Sequence, residues 1–314
     1  MSYKTIEGGV TAPKGFRAAA KYCAIKVKKE PNPKPDVAVV VSDYESSCAA
    51  VFTTNKFCAA PVILGREVLK KGKARAFVIN SGNANAATGE QGIANAKKVE
   101  REAERLLGLG EDEVFVSSTG VIGQQQPIDK LIAGLPEIVA SLSDKGGTEA
   151  ARAIMTTDTK LKEVAFELEL SGGTVRIGAM SKGSGMIHPN LATMLAYITT
   201  DAKVAAPILQ KILAESADKS FNMTTVDGDT STNDTLFLIA NGASGVAIES
   251  EEDIAAFAKL VEDICIHMAR SIASDGEGAT HLIVVEARNL ATMQDARLVA
   301  RSIAGSNLFK AAVF

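Results

Sequence analysis

The 314 residues carry 34 Lys and Arg against 37 Asp and Glu, a net charge of −3, and 46% of them are apolar. A chain of this size buries a sizeable core as one large or two ordinary domains, and its balanced charge, with no Lys/Arg block, argues against a nucleic-acid or membrane-surface partner. No apolar run reaches the roughly 18 residues of a membrane span, and the start lacks the charged-then-apolar order of a signal peptide, so the cytoplasm is the expected compartment.

Near the N-terminus, Pro31, Pro33 and Pro35 alternate with other residues and forbid helix. They mark an exposed loop flanked by strands. Residues 37–41, Val-Ala-Val-Val-Val, predict a strand covered on both faces. Residues 49–53 and 61–64 are shorter strand candidates, and 77–79 form a strand that leads into Asn80-Ser-Gly-Asn-Ala-Asn-Ala-Ala-Thr-Gly89. The Asn and Gly content of that stretch suits a strand-to-helix connection. Ile93, Ala96, Val99, Ala103, Leu106 and Leu107 recur at helical spacing and predict a helix over 93–107, stopped by Gly108 and Gly110. A short strand at 114–116 then enters Ser117-Ser-Thr-Gly-Val-Ile-Gly123. Alone this reads as a plain turn. A strand breaking at Thr119-Gly120 also sets a hydroxyl beside a backbone N–H, the pair of donors that a developing oxyanion needs.

Two helices are expected at 128–142 and from 147, the second running into Thr156-Thr-Asp-Thr159, a capping or turn sequence by itself. Residues 161–177 alternate, with Val164, Phe166, Leu168 and Leu170 against Glu163, Glu167 and Glu169, and predict a β-hairpin with one solvated face that delivers the chain to Lys182. The segment 178–201 is the densest in unusual features. Gly183 and Gly185 allow backbone conformations closed to other residues, Pro189 biases His188 to an extended form, and Ala192-Thr193 precede a buried strand at 195–199. A helix follows at 205–216 with Pro207 in its first turn.

The loop 221–235 holds Asp227 and Asp229, but an Asp-x-Asp without the remaining calcium ligands predicts no metal site. The cysteines, Cys23, Cys48, Cys58 and Cys265, have no C-x-x-C pairing and no zinc-like spacing to His188, His267 or His281, so they read as free thiols. After a strand at 236–240, the longest amphipathic helix spans 254–272 and stops at Asp275-Gly-Glu-Gly278. Glu277 there is a helix-stop residue or a carboxylate able to reach a substrate ammonium. A strand at 282–285 and a helix at 295–303 complete the prediction. Asn-Leu-Ala-Thr-Met occurs twice, at 190–194 and 289–293. The second copy lacks the Lys-Gly-Ser-Gly and His-Pro context, and Thr292 reads as surface loop.

Five of these stretches, in chain order, resemble motifs of the ornithine acetyltransferase family, the glutamate N-acetyltransferases of arginine biosynthesis. They are Asn80 to Gly89, with Ala87 where the family has a cysteine, then Ser118-Thr-Gly-Val-Ile-Gly123, Thr156 to Thr159, Lys182-Gly-Ser-Gly-Met-Ile-His-Pro-Asn-Leu-Ala-Thr-Met-Leu195, and Asp227-Gly-Asp-Thr-Ser-Thr-Asn-Asp234. The resemblance implies an α/β fold, a layered αββα-type sandwich of the ornithine acetyltransferase and DmpA-like superfamily, self-processing as N-terminal-nucleophile proteins are. It implies cleavage between Ala192 and Thr193, giving an alpha chain, 1–192, and a beta chain, 193–314, interleaved in one fold. The freed Thr193 would be the nucleophile. Its own α-amine, of reference pKa about 7.7 to 8.0, can serve as base, which suits a chain with three scattered histidines.

By the same resemblance Thr119 and Gly120 form the oxyanion hole, and Thr157 (with Thr156 as the fallback), Lys182, Thr193 and Glu277 bind substrate. The reaction implied is ping-pong transfer of an acetyl group from N2-acetylornithine to glutamate, with acetyl-CoA open as a further donor and no metal or organic cofactor. The implied assembly is a heterotetramer of two alpha and two beta chains. Family members continue past a segment like Lys310-Ala-Ala-Val-Phe314, where an Asn and a Ser or Thr complete the substrate pocket. Two other readings stand beside this one: a self-processing amidase or aminopeptidase that uses the same terminal threonine, and a non-catalytic amino-acid-binding protein in which the motif is structural.

Overall fold

The computed structural model describes residues 3–27, 31–188 and 194–314. Among these, ten strands divide into two sheets. The larger has the order β1 (Tyr3–Ile6), β7 (Lys162–Leu170), β8 (Gly173–Lys182), β9 (Leu195–Thr200), β10 (Thr235–Ala240) and β4 (Ser47–Phe52). The smaller runs β2 (Phe16–Lys21), β3 (Val37–Ser42), β5 (Ala76–Asn83) and β6 (Val114–Val121). Neighbours are antiparallel except β9 with β10 and β5 with β6.

Strand alternation decides the layers. Val37, Val39 and Val41 point to one face of the small sheet, where Val78, Val114 and Val116 meet the apolar stripes of α2 (Gly89–Leu107) and α3 (Ile128–Ala140). Ala38, Val40, Phe77, Ile79 and Phe115 point to the other face, into the space between the sheets. The large sheet is likewise two-sided. Ala196, Ile198, Leu236 and Leu238 pack under α5 (Ala206–Lys219) and α6 (Glu251–Ser274), while Leu195, Tyr197, Phe237 and Ile239 face the small sheet. The result is helix, sheet, sheet, helix, the αββα sandwich expected from the motifs. The central strands β3, β9 and β10 are buried on both faces, which is why they read as near-continuous apolar runs, whereas β1 and β7 toward the edge of the large sheet stay partly exposed and β7 alternates in sequence.

An aromatic cluster joins the sheets. Phe237 has its ring 4.3 Å from that of Phe115 and 5.4 Å from that of Phe77, which is 4.9 Å from Tyr197. The helix α4 (Gly147–Ile154) fills the rest of this layer with Ala150, Ala153 and Ile154. The strand after residue 193, β9, is central and lies between β8 and β10.

Several boundaries differ from the sequence reading. Residues 61–64 are not a strand but part of α1 (Ala60–Leu69): Ala59 is extended, Pro61 occupies the first turn, and Val62, Leu64 and Val68 are buried. Four apolar residues cannot separate the two periods, and the helix-compatible proline decides. Strands β5 and β6 continue through Asn83 and Val121, so the polar motifs at 80–83 and 117–121 are strand, not connection. Residues 282–285 pair with no strand among the described residues, and Leu282 and Val284 are exposed. Thr292 is more than surface loop, since its Oγ1 accepts the Asp295 N–H at 3.1 Å and caps α7 (Met293–Ala304), which is followed by α8 (Asn307–Val313). The four cysteines are free thiols. Among the described residues no helix is long and apolar enough to cross a membrane.

Because Phe237 touches four other rings, those of Phe52, Phe77, Phe115 and Tyr197, at the middle of the sandwich, Phe237→Ala should lower the unfolding free energy by about 3–5 kcal/mol, read from denaturant midpoints. A loss under about 1 kcal/mol would show that the sheets are held together elsewhere.

Candidate active site

The parallel pair β5 and β6 and the antiparallel β8 end at one edge of the sandwich, where β9 and β10 begin. Register makes the meeting specific: Gly82 pairs with Gly120, Lys182 with Leu195, and Leu195 with Thr235. The pairing of β5 with β6 slips at Gly82 and Asn83. There Gly120 adopts φ +134°, and a Cβ on it would stand 2.3 Å from the Gly82 carbonyl carbon and 2.6 Å from the Asn83 nitrogen. Only glycine fits, so the Thr-Gly step is imposed by backbone contact as well as by chemistry.

Thr119 is buried beside it, and its Oγ1 accepts a hydrogen bond from Lys182 Nζ at 3.3 Å. An ammonium has donors only, so Thr119 keeps its own hydroxyl proton for another acceptor. The Lys182 side chain is 3% exposed. Burial pulls its pKa down, opposed by the charges of Asp158, then Asp234, and more weakly Glu277.

Asp158, in the Thr156 to Thr159 turn, uses both carboxylate oxygens. Oδ1 accepts from Gly183 N at 2.7 Å and Lys162 Nζ at 2.8 Å, and Oδ2 accepts from Thr156 N at 3.0 Å. Although burial alone would raise it, Lys182, Lys162 and the Gly183 amide hold its carboxyl below the usual range. Lys162 reaches on to Asp275 Oδ2 at 2.5 Å, and Asp275 receives the Thr159 and Lys160 amides and the Thr159 hydroxyl.

The motif loop after α5 brackets the segment 188–194. At one end Asp227 accepts from Met186 N at 2.5 Å and Ile187 N at 3.0 Å, fixing Met186 in a left-handed conformation of φ +59°. At the other end Asp234, fully buried, accepts from Met194 N at 2.9 Å. Its Oδ2 has no hydrogen-bond partner among the described residues. Burial therefore drives the Asp234 carboxyl well above the ordinary range, only partly offset by the Met194 amide, the nearby Ser231 and Thr53 hydroxyls and Lys182.

Of the residues chosen from sequence, Thr119, Gly120 and Lys182 come together at the strand ends. Glu277 is exposed at the rim, its carboxyl carbon so near the Gly185 backbone that a Cβ there would lie 2.5 Å from it, and its charge is felt by Lys182. Thr157 is exposed on the turn that Asp158 pins, while Thr156 is half-buried and donates its amide to that carboxylate. Ala192 and Thr193, the expected cleavage site and nucleophile, lie outside the described residues. Asp158, Lys162, Asp234 and Asp275 were missed. Lys162 carried a signal: it shares the strand parity of Val164, Phe166 and Leu168, so an alternating strand placed an ammonium on its buried side.

The ArgJ family model matches residues 17–314. An arginine biosynthesis bifunctional protein ArgJ of Symbiobacterium thermophilum is 51% identical over 311 residues, spanning 98% of this chain and 77% of that protein. Among solved structures, an ornithine acetyltransferase from Mycobacterium tuberculosis, complexed with ornithine, is 36% identical with a TM-score of 0.53 and covers 62% of this chain and 100% of that one. An L-aminopeptidase D-Ala-esterase/amidase of Ochrobactrum anthropi, described as a variant of the Ntn hydrolase fold, has a TM-score of 0.55 over 88% of this chain and 89% of its own; at 12% identity the likeness is one of fold alone.

The raised Asp234 carboxyl has a pH signature. A carboxyl whose folded pKa lies above its unfolded value of about 3.9 stays protonated in the folded chain while the unfolded one ionises, so its contribution turns unfavourable as pH rises. Asp234→Asn keeps an acceptor for Met194 N and removes that penalty. The stability gained by this variant over wild type should be least near pH 4 and grow toward pH 7, measured by denaturant unfolding at both. A difference independent of pH would mean that Asp234 titrates normally.

Proposed function

The chain belongs to the ArgJ family of arginine-biosynthesis proteins, acyltransferases of a layered Ntn-hydrolase-like fold, and from that premise we propose that it is a self-cleaving acetyltransferase carrying an acetyl group from N2-acetylornithine to glutamate. Cleavage between Ala192 and Thr193 divides it into 1–192 and 193–314 and frees the Thr193 amine. Thr193 Oγ then attacks the acetyl carbonyl carbon while its proton passes to that amine. The tetrahedral oxyanion takes hydrogen bonds from the Thr119 hydroxyl and the Gly120 N–H. Its collapse breaks the bond to ornithine nitrogen, which receives the proton, and leaves an acetyl ester on Thr193. The glutamate α-amine attacks that ester and regenerates the threonine. Lys182, Thr157 and Glu277 hold the charged ends of the two amino acids. Acetyl-CoA is admitted as a second donor, and the working assembly is two copies of each piece.

One observation carries this reading. A buried ammonium, Lys182, donates to Thr119 Oγ1 and leaves that hydroxyl's proton free at the mouth of the strand preceded by Thr193. Burying an ammonium is costly, and among the described residues the hydrogen bond of Lys182 Nζ goes to the Thr119 hydroxyl and to no carboxylate, which leaves the cation donors for a substrate carboxylate.

Intact mass of the wild type beside Thr193→Ala tests the chemistry. Two fragments meeting between Ala192 and Thr193 are expected in the wild type alone, together with acetyl transfer from N2-acetylornithine to glutamate in preference to water. Thr119→Val should lower kcat by about 10²–10³, the usual effect of one lost oxyanion donor. An uncut wild type, or acetyl release to water with no response to glutamate, would sink the proposal.

A further inference from the structure

Thr157 and Glu277 are exposed, and among the described residues no hydrogen bond or ion pair holds either side chain. Their positions depend wholly on the backbone beneath them. That backbone converges on one buried cation. Lys162, at the start of β7, spends its three donors on Asp158 Oδ1 at 2.8 Å, Asp275 Oδ2 at 2.5 Å and the Lys160 carbonyl at 3.3 Å. The three charged side chains are 1%, 0% and 2% exposed.

Each carboxylate then fastens a different loop. Asp158 takes the amides of Thr156 and Gly183, and so fixes the turn bearing Thr157 and the residue after Lys182. Asp275 takes the amides of Thr159 and Lys160, while its own carbonyl accepts the Ser184 hydroxyl at 2.6 Å. The Ser184 carbonyl in turn accepts the Glu277 amide at 3.0 Å. Three loops, each carrying one proposed substrate contact, are therefore tied to a single ammonium.

We infer that Lys162 is a positioning residue for amino-acid recognition, acting through Asp158 and Asp275 to hold Thr157, Lys182 and Glu277 in mutual register. The inference rests on the functional reading above. Lys162 touches no substrate; without it the two carboxylates repel across a dry interior and the loops part.

Removing Lys162 alone would leave an excess of buried carboxylate and risk the fold, so the decisive variant is Lys162→Met combined with Asp275→Asn, which removes the pair together and keeps Asp158 as the counter-charge of Lys182. Replacing a buried ion pair as a unit is often neutral for stability. The double variant should therefore melt close to wild type yet bind ornithine about 30-fold more weakly by calorimetry, with KM for N2-acetylornithine raised likewise. Ser184→Ala, which deletes only the hydroxyl on the Asp275 carbonyl, gives an independent reading if the double variant melts early: about 10-fold weaker binding with a melting temperature only slightly lowered, by the one lost hydrogen bond. Unchanged affinity in a stable variant overturns the inference alone. A wild type that binds no ornithine overturns the functional reading and this inference with it.

Discussion

An ammonium leaves water only where opposing charge and hydrogen-bond acceptors replace its hydration, and two lysines at the edge of this sandwich impose that condition on everything around them. Lys182 donates to the Thr119 hydroxyl with Asp158 as its main opposing charge, and Lys162 is enclosed by Asp158 and Asp275. Neither cation could be buried without the acids, and neither acid could be buried without backbone amides to share the load. The loops at this edge thus take their shape from charge neutralisation, whereas the strands behind them take theirs from apolar alternation.

The two kinds of order meet at the strand ends. Val37 to Val41, Phe77 to Ile79 and Val114 to Val116 are purely apolar, but the last two of these strands run on into Asn80 to Asn83 and Ser117 to Gly120 without leaving the sheet. Polar residues remain in strand because they bond to one another: the Ser118 hydroxyl and the Gln126 amide both donate to Asn80 Oδ1 at 2.7 Å, and Asn233 donates to the Ala84 and Ser118 carbonyls. The sheet thereby carries rigid backbone up to Thr119 and Gly120. A site built on strands is held more tightly than one built on loops alone.

Most of the layered fold was legible because it rests on periodicity. The helices α2, α3, α5 and α6, the β7 and β8 hairpin and the central strands all follow from residue spacing. What failed was local. Residues 61–64 were too few to separate helix from strand, and the boundaries of β5 and β6 could not be found from composition, since a strand made of Asn, Ser and Gly is stable only with partners far away in sequence, such as Asn233 and Gln126. At the site, Thr119, Gly120, Thr157, Lys182 and Glu277 came from motifs. Lys162 and Asp275 did not, and Asp234 lay in a motif without a role of its own, because their significance is burial, which a sequence of balanced charge does not reveal.

Asp234 and Asp227 show why the acidic loop that invites a cation reading has another use. Asp227 turns its carboxylate onto the amides of Met186 and Ile187, and Asp234 turns one oxygen onto the amide of Met194. One loop thus grips the chain on both sides of residues 189–193, with six residues of its own between the grips. Grips on both sides of a short stretch limit how far its ends can separate, since a chain spans at most about 3.3–3.6 Å per residue. After cleavage the new ends would still be anchored, at Ile187 on one side and Met194 on the other, and β9 would keep its place between β8 and β10 through its own ladder. The Asp grips are therefore compatible with an intact chain and with a cut one, because each acts on backbone outside residues 189–193.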